Sequence, residues 1–251
     1  SNGKTGVVYV RTTGTNQDGE TVLSYVRWVM VHKKDAANPA PEAVMPDLPG
    51  AVDASRLPTF ADYASYDAEL AGSSDLYEDY EIGEKIDHVD GMTVEEAEHQ
   101  SATRLYQNTA KVHFNLHEQA GSRFGKRLIY GGVVISTARS LAFNGLANAA
   151  QMIGINAGTH CNPLFAGDTI YAWSEVLDKA ELSDTVGALR LRLVATKDLP
   201  CADFPLKGED GKYLPNVLLE LLSTAPTPPL LACWSLRTWR RRPHQRMRWR
   251  Q

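Results

Sequence analysis

Residues 132–153 read GVVISTARSLAFNGLANAAQMI. The run is long, apolar and rich in Ala, Gly and Ser, with no acid and one base, Arg139. Small residues let a helix lie close against a sheet, so the stretch predicts one central helix buried on strands. Three strand-like runs follow, at Thr169–Leu177, Ala188–Thr196 and Tyr213–Leu222. A long apolar helix followed by successive strands predicts an α+β arrangement, an antiparallel sheet wrapped around that helix.

Upstream, Val94–His113 is helix-prone, with Thr93 placed to cap it and Glu95 and Glu96 favouring the positive end of its dipole. Residues 34–76 are rich in Ala, Asp and Ser and hold prolines 39, 41, 46, 49 and 58, which predicts a linker. Before it, Val7–Thr13 and Thr21–His32 are β-rich and flank Asp18-Gly19, a pair suited to a hairpin turn. A lone two-stranded hairpin is marginal in water, so this one must pack on something else.

The hairpin has an internal counterpart. TGVVYVRTT followed by NQDGETVLSYVRWV can be set against VGALRLRLVAT followed by GEDGKYLPNVLLEL. Each is a strand, a loop ending in Asp-Gly, and a second strand. The second copy follows a long helix, whereas nothing precedes the first. The repeat therefore predicts that 1–33 is the terminal hairpin of a first unit lacking its N-terminal part. Residues 34–76 are then a linker, 77–222 a nearly complete unit, and 223–251 a separate tail.

Composition separates the tail from the rest. The chain has 251 residues with 26 Lys+Arg, 30 Asp+Glu and 43% apolar residues, which excludes collagen-like, disordered and disulfide-scaffold classes. Seven arginines and no acid fall in 221–251, so the remainder is strongly acidic. That end reads as a basic arm for nucleic acid or an anionic membrane, or as an out-of-frame terminus. The second reading is adopted, because the change falls inside an expected strand, and neither nucleic acid nor membrane is expected as a partner. Cys161, Cys201 and Cys233 are dispersed, with no CxxC pair, which suits a reducing, cytoplasmic setting. No run of 18 apolar residues and no signal-peptide pattern occurs.

Three motifs narrow the assignment. Pro163–Ile170 (PLFAGDTI) resembles the P-x-x-x-G-D-T-L segment that leads into a strand in MaoC-like enoyl-CoA hydratases and dehydratases. Tyr106–His113 (YQNTAKVH) occupies the place of their hydratase motif, which in most of that family reads G-D-x-N-P-x-H. Leu128–Gly132 (LIYGG) stands where the family has I-x-H-G at the start of its central helix. YQNT-x-x-VHFN followed by YGG is most similar to the mesaconyl-CoA hydratase (β-methylmalyl-CoA dehydratase) branch, which has two fused hotdog units. The resemblance covers roughly residues 3–222. It implies a hotdog fold, one nearly complete unit plus the hairpin of another. It also implies a hydro-lyase acting on an enoyl-CoA, with CoA entering as part of the substrate, and a homodimer in the full-length protein. No metal or separate cofactor is expected, since nucleotide fingerprints and metal-ligand spacings are absent.

Adding water to an α,β-unsaturated thioester requires a base for the water, an acid for Cα and a donor for the thioester oxygen. The resemblance places His113 as the base. Asn108 stands where the family has Asp, and an amide positions rather than titrates. His113 then makes both proton transfers through the bound water, or a carboxylate such as Glu118 assists. Gly131 and Gly132 are the candidate oxyanion site at a helix N-terminus. Arg104, Arg123, Lys126 and Arg127 flank the motif. Arg123, in the loop-like GSRFG run, is selected with Tyr106 for substrate binding, and His117 is read as a surface residue. Plainer roles are open too: a hydrogen-bonded structural histidine, an amide closing a helix end, and glycines that permit close packing. The rival functions are a hotdog thioesterase and a non-catalytic acyl-CoA-binding fragment.

Overall fold

The structure is a computed structural model and describes residues 3–58, 62–149 and 151–229. It divides into two units, Ser1–Pro49 and Gly50–Gln251.

In the first unit, β1 (Thr5–Thr15) pairs antiparallel with β2 (Thr21–His32), placing Tyr9 opposite Trp28 and Val7 opposite Met30. The turn forms as the sequence predicts. Gly19 takes φ +80°, and the Asn16 Oδ1 accepts from the N–H groups of Asp18 and Glu20.

The second unit is built on a five-stranded antiparallel sheet, in the order β3-β5-β6-β7-β4. Its strands are β3 (Lys85–Thr93), β4 (Gly154–His160), β5 (Thr169–Ser183), β6 (Val186–Lys197) and β7 (Val217–Thr227). The three central strands match the expected runs in place. Leu189, Leu191 and Leu193 of β6 and Leu219 and Leu221 of β7 belong to the core beneath the central helix. The opposite face is covered by a second cluster, Trp173, Val194, Cys201 and Val217, with Phe204 and Tyr213 packed against it. Burial on both faces explains the almost continuous apolar text of these strands. The two edge strands carry no apolar strand pattern. β3 (KIDHVDGMT) is polar and interrupted, with a register shift between Asp87 and Gly91 and Val89 at φ 64°. β4 (GINAGTH) carries small and polar residues. An edge strand covered on one side need not advertise an apolar pattern.

The central helix departs from the expected 132–153 span. It is α3 (Gly131–Leu141), and it buries Val133, Val134, Thr137, Ala138 and Leu141 on the sheet. The following helical turn, α4 (Phe143–Leu146), is broken at Asn144 and Gly145, where Gly145 has φ +102°. A Cβ at Gly145 would stand 2.6 Å from Ile86 Cγ2. The opened backbone is held to β3: His88 Nδ1 donates to the Asn144 carbonyl at 2.7 Å, and Asn144 Nδ2 donates to the His88 carbonyl and to Asp90. Asn-Gly, a strong helix-stop pair, outweighed the apolar composition around it.

Three further expectations change. The Val94–His113 helix is α1 (Glu96–Leu105), with Glu95 rather than Thr93 at its N-cap. Thr93 instead ends β3 and hydrogen-bonds Thr169. His113 lies beyond α1, in a separate helical turn, Lys111–His113, which precedes the short helix α2 (Leu116–Gln119). The expected linker 34–76 is partly folded, since Leu57, Ala68 and Leu76 are buried and Tyr66 Oη donates to Asn148 Oδ1. Finally, β7 does not stop at Leu222. Ala225, Pro226 and Thr227 pair with Leu189, Ala188 and Gly187 of β6, so the first residues of the expected tail complete the ladder. Residues 230–251, including Cys233, lie outside the described residues.

Candidate active site

His113 is oriented from both sides of its backbone. Its N–H donates to the Ala110 carbonyl, its carbonyl accepts from Gln100 Nε2, and Leu128 N–H donates to the adjoining Val112 carbonyl. The ring Nδ1 lies 2.9 Å from the Leu128 carbonyl oxygen. A carbonyl only accepts, so Nδ1 carries the proton and Nε2 presents a lone pair. The ring meets Tyr130 and His99 edge-on, with centroids at 5.7 and 6.4 Å. His99 is fully buried, and its Nε2 accepts from the Tyr130 N–H at 2.9 Å. Burial holds the His99 pKa below the ordinary histidine value, and His113 adds to that against the opposing pull of Glu96.

The two ties at Leu128 and Tyr130 bracket the lead-in to α3. A third comes from the PLFAGDTI segment, where the Leu164 carbonyl accepts from Ile129 N–H. Asp168 in that segment closes its own turn, its Oδ2 accepting from Phe165 N–H at 2.9 Å. The GDT signature is thus structural here, fixing β5 to the segment that carries the helix start.

Helix α3 begins at Gly131 with Tyr130 as N-cap, and the Tyr130 side chain makes no capping bond. Its first N–H groups have no carbonyl partner within the helix. The space that a Cβ would need at Gly131 is taken by His160, with Nε2 at 2.6 Å and Cε1 at 2.8 Å. At Gly132 it is taken by the Tyr130 ring, with Cε1 at 2.6 Å. Both glycines therefore serve close packing of side chains over the helix start.

His160 was not selected from the sequence. It ends edge strand β4, opposite Leu219 of β7. Desolvation by its neighbours lowers its pKa, and repulsion from His113 lowers it further. The ring packs on Gly131, the first residue of α3, while the residue as a whole is exposed. Only the sheet register brings this residue to Gly131, so no local motif could have announced it. His99 was missed for the same reason: its role depends on a contact 31 residues away.

Asn108 closes the exit from α1, its N–H donating to the Thr103 carbonyl and its Oδ1 accepting from Ala110 N–H. Among the described residues no hydrogen bond joins its side chain to the His113 ring. Tyr106 is 66% exposed at the end of α1. Arg123 stacks on Phe124 at 4.2 Å, Phe124 meets Phe165 edge-on, and Lys126 lies 4.2 Å over Phe165. Arg127 pairs with Glu96 and donates to the Phe114 carbonyl. Glu118 is engaged by Lys111 at 3.2 Å and by Asn115, which occupies it outside the His113 group. Arg104 and His117 are exposed.

A cavity of about 770 Å³ lies at the other end of α3, lined by Asp90, Ser136, Arg139, Phe143 and Asn144 among others. It shares no residue with the His113 group. Among the described residues no cluster of His, Cys, Asp and Glu could hold a metal ion, and no helix is long and apolar enough to cross a membrane.

Comparison with known proteins gives consistent matches. The family model described as mesaconyl-CoA hydratase matches residues 1–200. The β-methylmalyl-CoA dehydratase of Chloroflexus aurantiacus is 58% identical over 230 residues, covering 90% of this chain and 65% of that protein. The mesaconyl-CoA hydratase of Cereibacter sphaeroides is 61% identical over 224 residues, covering 88% and 64%. Among solved structures, a MaoC domain protein dehydratase from Chloroflexus aurantiacus superposes with a TM-score of 0.87 at 57% identity, covering 90% of this chain and 66% of that one. A Mycobacterium tuberculosis protein with a double hotdog fold has a TM-score of 0.58 at 22% identity, a likeness of fold. The chain thus spans just under two thirds of the length of the curated relatives it matches.

Proposed function

The chain belongs to the mesaconyl-CoA hydratase family, and from that premise we propose that it carries the reaction centre for reversible hydration of mesaconyl-CoA to β-methylmalyl-CoA. The observation that supports this most directly is the His113 Nδ1 bond to the Leu128 carbonyl, which leaves Nε2 as a base.

In the hydration direction, His113 Nε2 takes a proton from water as the water oxygen bonds to Cβ. The Cα=Cβ electrons move to form an enolate of the thioester. The first-turn N–H groups of α3, at Gly131 and Gly132, face the growing negative charge on that oxygen, and the helix dipole favours it. The imidazolium then returns its proton to Cα, and dehydration runs the same steps backwards. Asn108 Nδ2 orients the water or the thioester while its Oδ1 serves the turn. Arg123 and Tyr106 serve substrate binding, with Arg123 receiving the free carboxylate of the dicarboxylic acyl group or the CoA phosphates. CoA enters as part of the substrate and no separate cofactor is invoked. The setting proposed is cytoplasmic, and the full-length protein is proposed to be a homodimer.

A thioesterase of this fold would need a carboxylate aligned by the central helix to attack the carbonyl or activate water there. Helix α3 (GGVVISTARSL) contains neither Asp nor Glu. One assay tests the proposal: mesaconyl-CoA with the protein, following enoyl-thioester absorbance and free thiol together. Loss of absorbance without thiol supports hydration. Thiol release overturns it in favour of a thioesterase, and no change in either signal overturns catalysis by this chain.

A further inference from the structure

The hydration scheme leaves one gap. Asn108 stands where most MaoC-like hydratases have Asp, and its side-chain oxygen is committed to the turn that follows α1. Glu118 is held by Lys111 and Asn115. Neither supplies a second polar group beside His113.

His160 is in position to do so. Its Nε2 is the atom that packs against Gly131, on the first residue of α3. Gly131 is what makes the approach possible, because any Cβ there would stand 2.6 Å from that nitrogen. The ring is close enough to His113 for the two to repel electrostatically. Among the described residues neither ring nitrogen of His160 makes a hydrogen bond, so the side chain is not spent on holding the fold together. β4 delivers it there through a backbone pairing with β7, which fixes its Cα independently of the side chain.

Resting on the hydratase reading, we propose that His160 is a further catalytic residue: a neutral imidazole whose Nε2–H donates to the thioester carbonyl oxygen. It acts beside the first-turn N–H groups of α3, while His113 handles the water. No proton leaves His160 in this scheme. A neutral donor suits the task, because an imidazolium at this point would repel the imidazolium that forms on His113 during turnover. The lowered pKa of His160 accords with that, keeping the ring uncharged at neutral pH.

The test is steady-state hydration of mesaconyl-CoA by the wild-type chain, His160→Ala and His160→Gln. Wild-type turnover comes first: if the wild type shows none, the hydratase reading itself fails, independently of His160. Given turnover, His160→Ala is expected to lose about 10²-fold or more in kcat with KM changed little, the pattern of a lost oxyanion donor. Gln retains an N–H donor of similar reach and is expected to recover a measurable part of that loss. Circular dichroism and thermal unfolding establish that both variants fold. Wild-type kcat in a folded His160→Ala variant overturns the proposal. So does a loss confined to KM, or a Gln variant that is no better than Ala.

Discussion

The Nε2 of His160 stands 2.6 Å from the point where a Cβ on Gly131 would lie. Gly131→Ala therefore displaces the histidine ring while leaving the backbone helical, since alanine is well suited to a helix. The residue is exposed, so the ring can swing away. Stability is expected to change by no more than about 1 kcal/mol. Hydration of mesaconyl-CoA is expected to fall at least about tenfold through loss of a positioned donor. Parallel urea melts and kinetics check this; an unchanged rate in the folded variant counts against any role for that contact.

The charge on His113 helps to hold the His160 pKa below the ordinary histidine value, after the larger effect of desolvation. In His113→Ala the repulsion disappears, so the titration midpoint of His160 rises, though it stays below the ordinary histidine value because desolvation is the larger cause. The imidazole carbon-bound proton signals in a pH series report the midpoint. The same variant is expected to lose about 10²- to 10⁴-fold in hydration rate, the usual range for a removed general base. Full activity in the folded variant rules out His113 as the base.

His88 sets a pH dependence of stability remote from that chemistry. It is fully buried, and it donates from Nδ1 to the Asn144 carbonyl and accepts at Nε2 from the Ser174 hydroxyl at 2.8 Å. Burial lowers its pKa from 6.5 to about 4. The unfolded chain thus binds this proton near pH 6.5 and the folded one only near 4. Stability from the neutral ring is fully present above pH 6.5 and is lost as pH falls toward 4, at up to about 1.4 kcal/mol per pH unit and about 3 kcal/mol in all. Replacing it with Gln, which does not titrate, is expected to flatten this part of the stability curve relative to wild type. Urea midpoints between pH 7 and 4 measure the difference.

Gly145 combines a left-handed backbone with a close neighbour: φ is +102°, and a Cβ would meet Ile86 Cγ2 at 2.6 Å. Gly145→Ala is expected to cost about 1–3 kcal/mol, more than an ordinary helix substitution. A reduced thermal midpoint checks it. A variant as stable as wild type means the chain between α3 and β4 repacks without this kink.

The central strands were legible because burial on both faces wrote near-continuous apolar text into Thr169–Leu177 and Ala188–Thr196. The turn at Asp18-Gly19 was legible because its geometry needs those residues. His113 was found through a motif, and the structure then supplied what no motif carries, the carbonyl that sets its tautomer. His160 was invisible because its meaning lies in a register between β4 and β7 and in the absence of a Cβ at Gly131. The break at Asn144-Gly145 was written in the sequence, but composition over a 22-residue window hid a two-residue stop signal. At the other end, the change in composition near residue 222 predicts the end of the fold, although backbone pairing, which is indifferent to composition, continues past it.

That continuation is testable. Ser223–Thr227 are paired with β6 over its first half, Ala225 is 1% exposed, and the Pro228 carbonyl accepts from Tyr77 N–H at 3.0 Å. A chain ended at Leu222 loses these ladder bonds and uncovers Val186, Ala188 and Leu189, which are otherwise buried. Each lost backbone bond is worth about 1 kcal/mol net, and the uncovered apolar groups add a similar amount. The shortened chain is therefore expected to be destabilised by several kcal/mol, enough to unfold a domain whose total stability is about 5–15 kcal/mol or to send it into aggregates. Circular dichroism melts of the full chain and of the chain ended at Leu222 decide the matter. Equal midpoints would mean that residues 223–227 are dispensable to the sheet they extend.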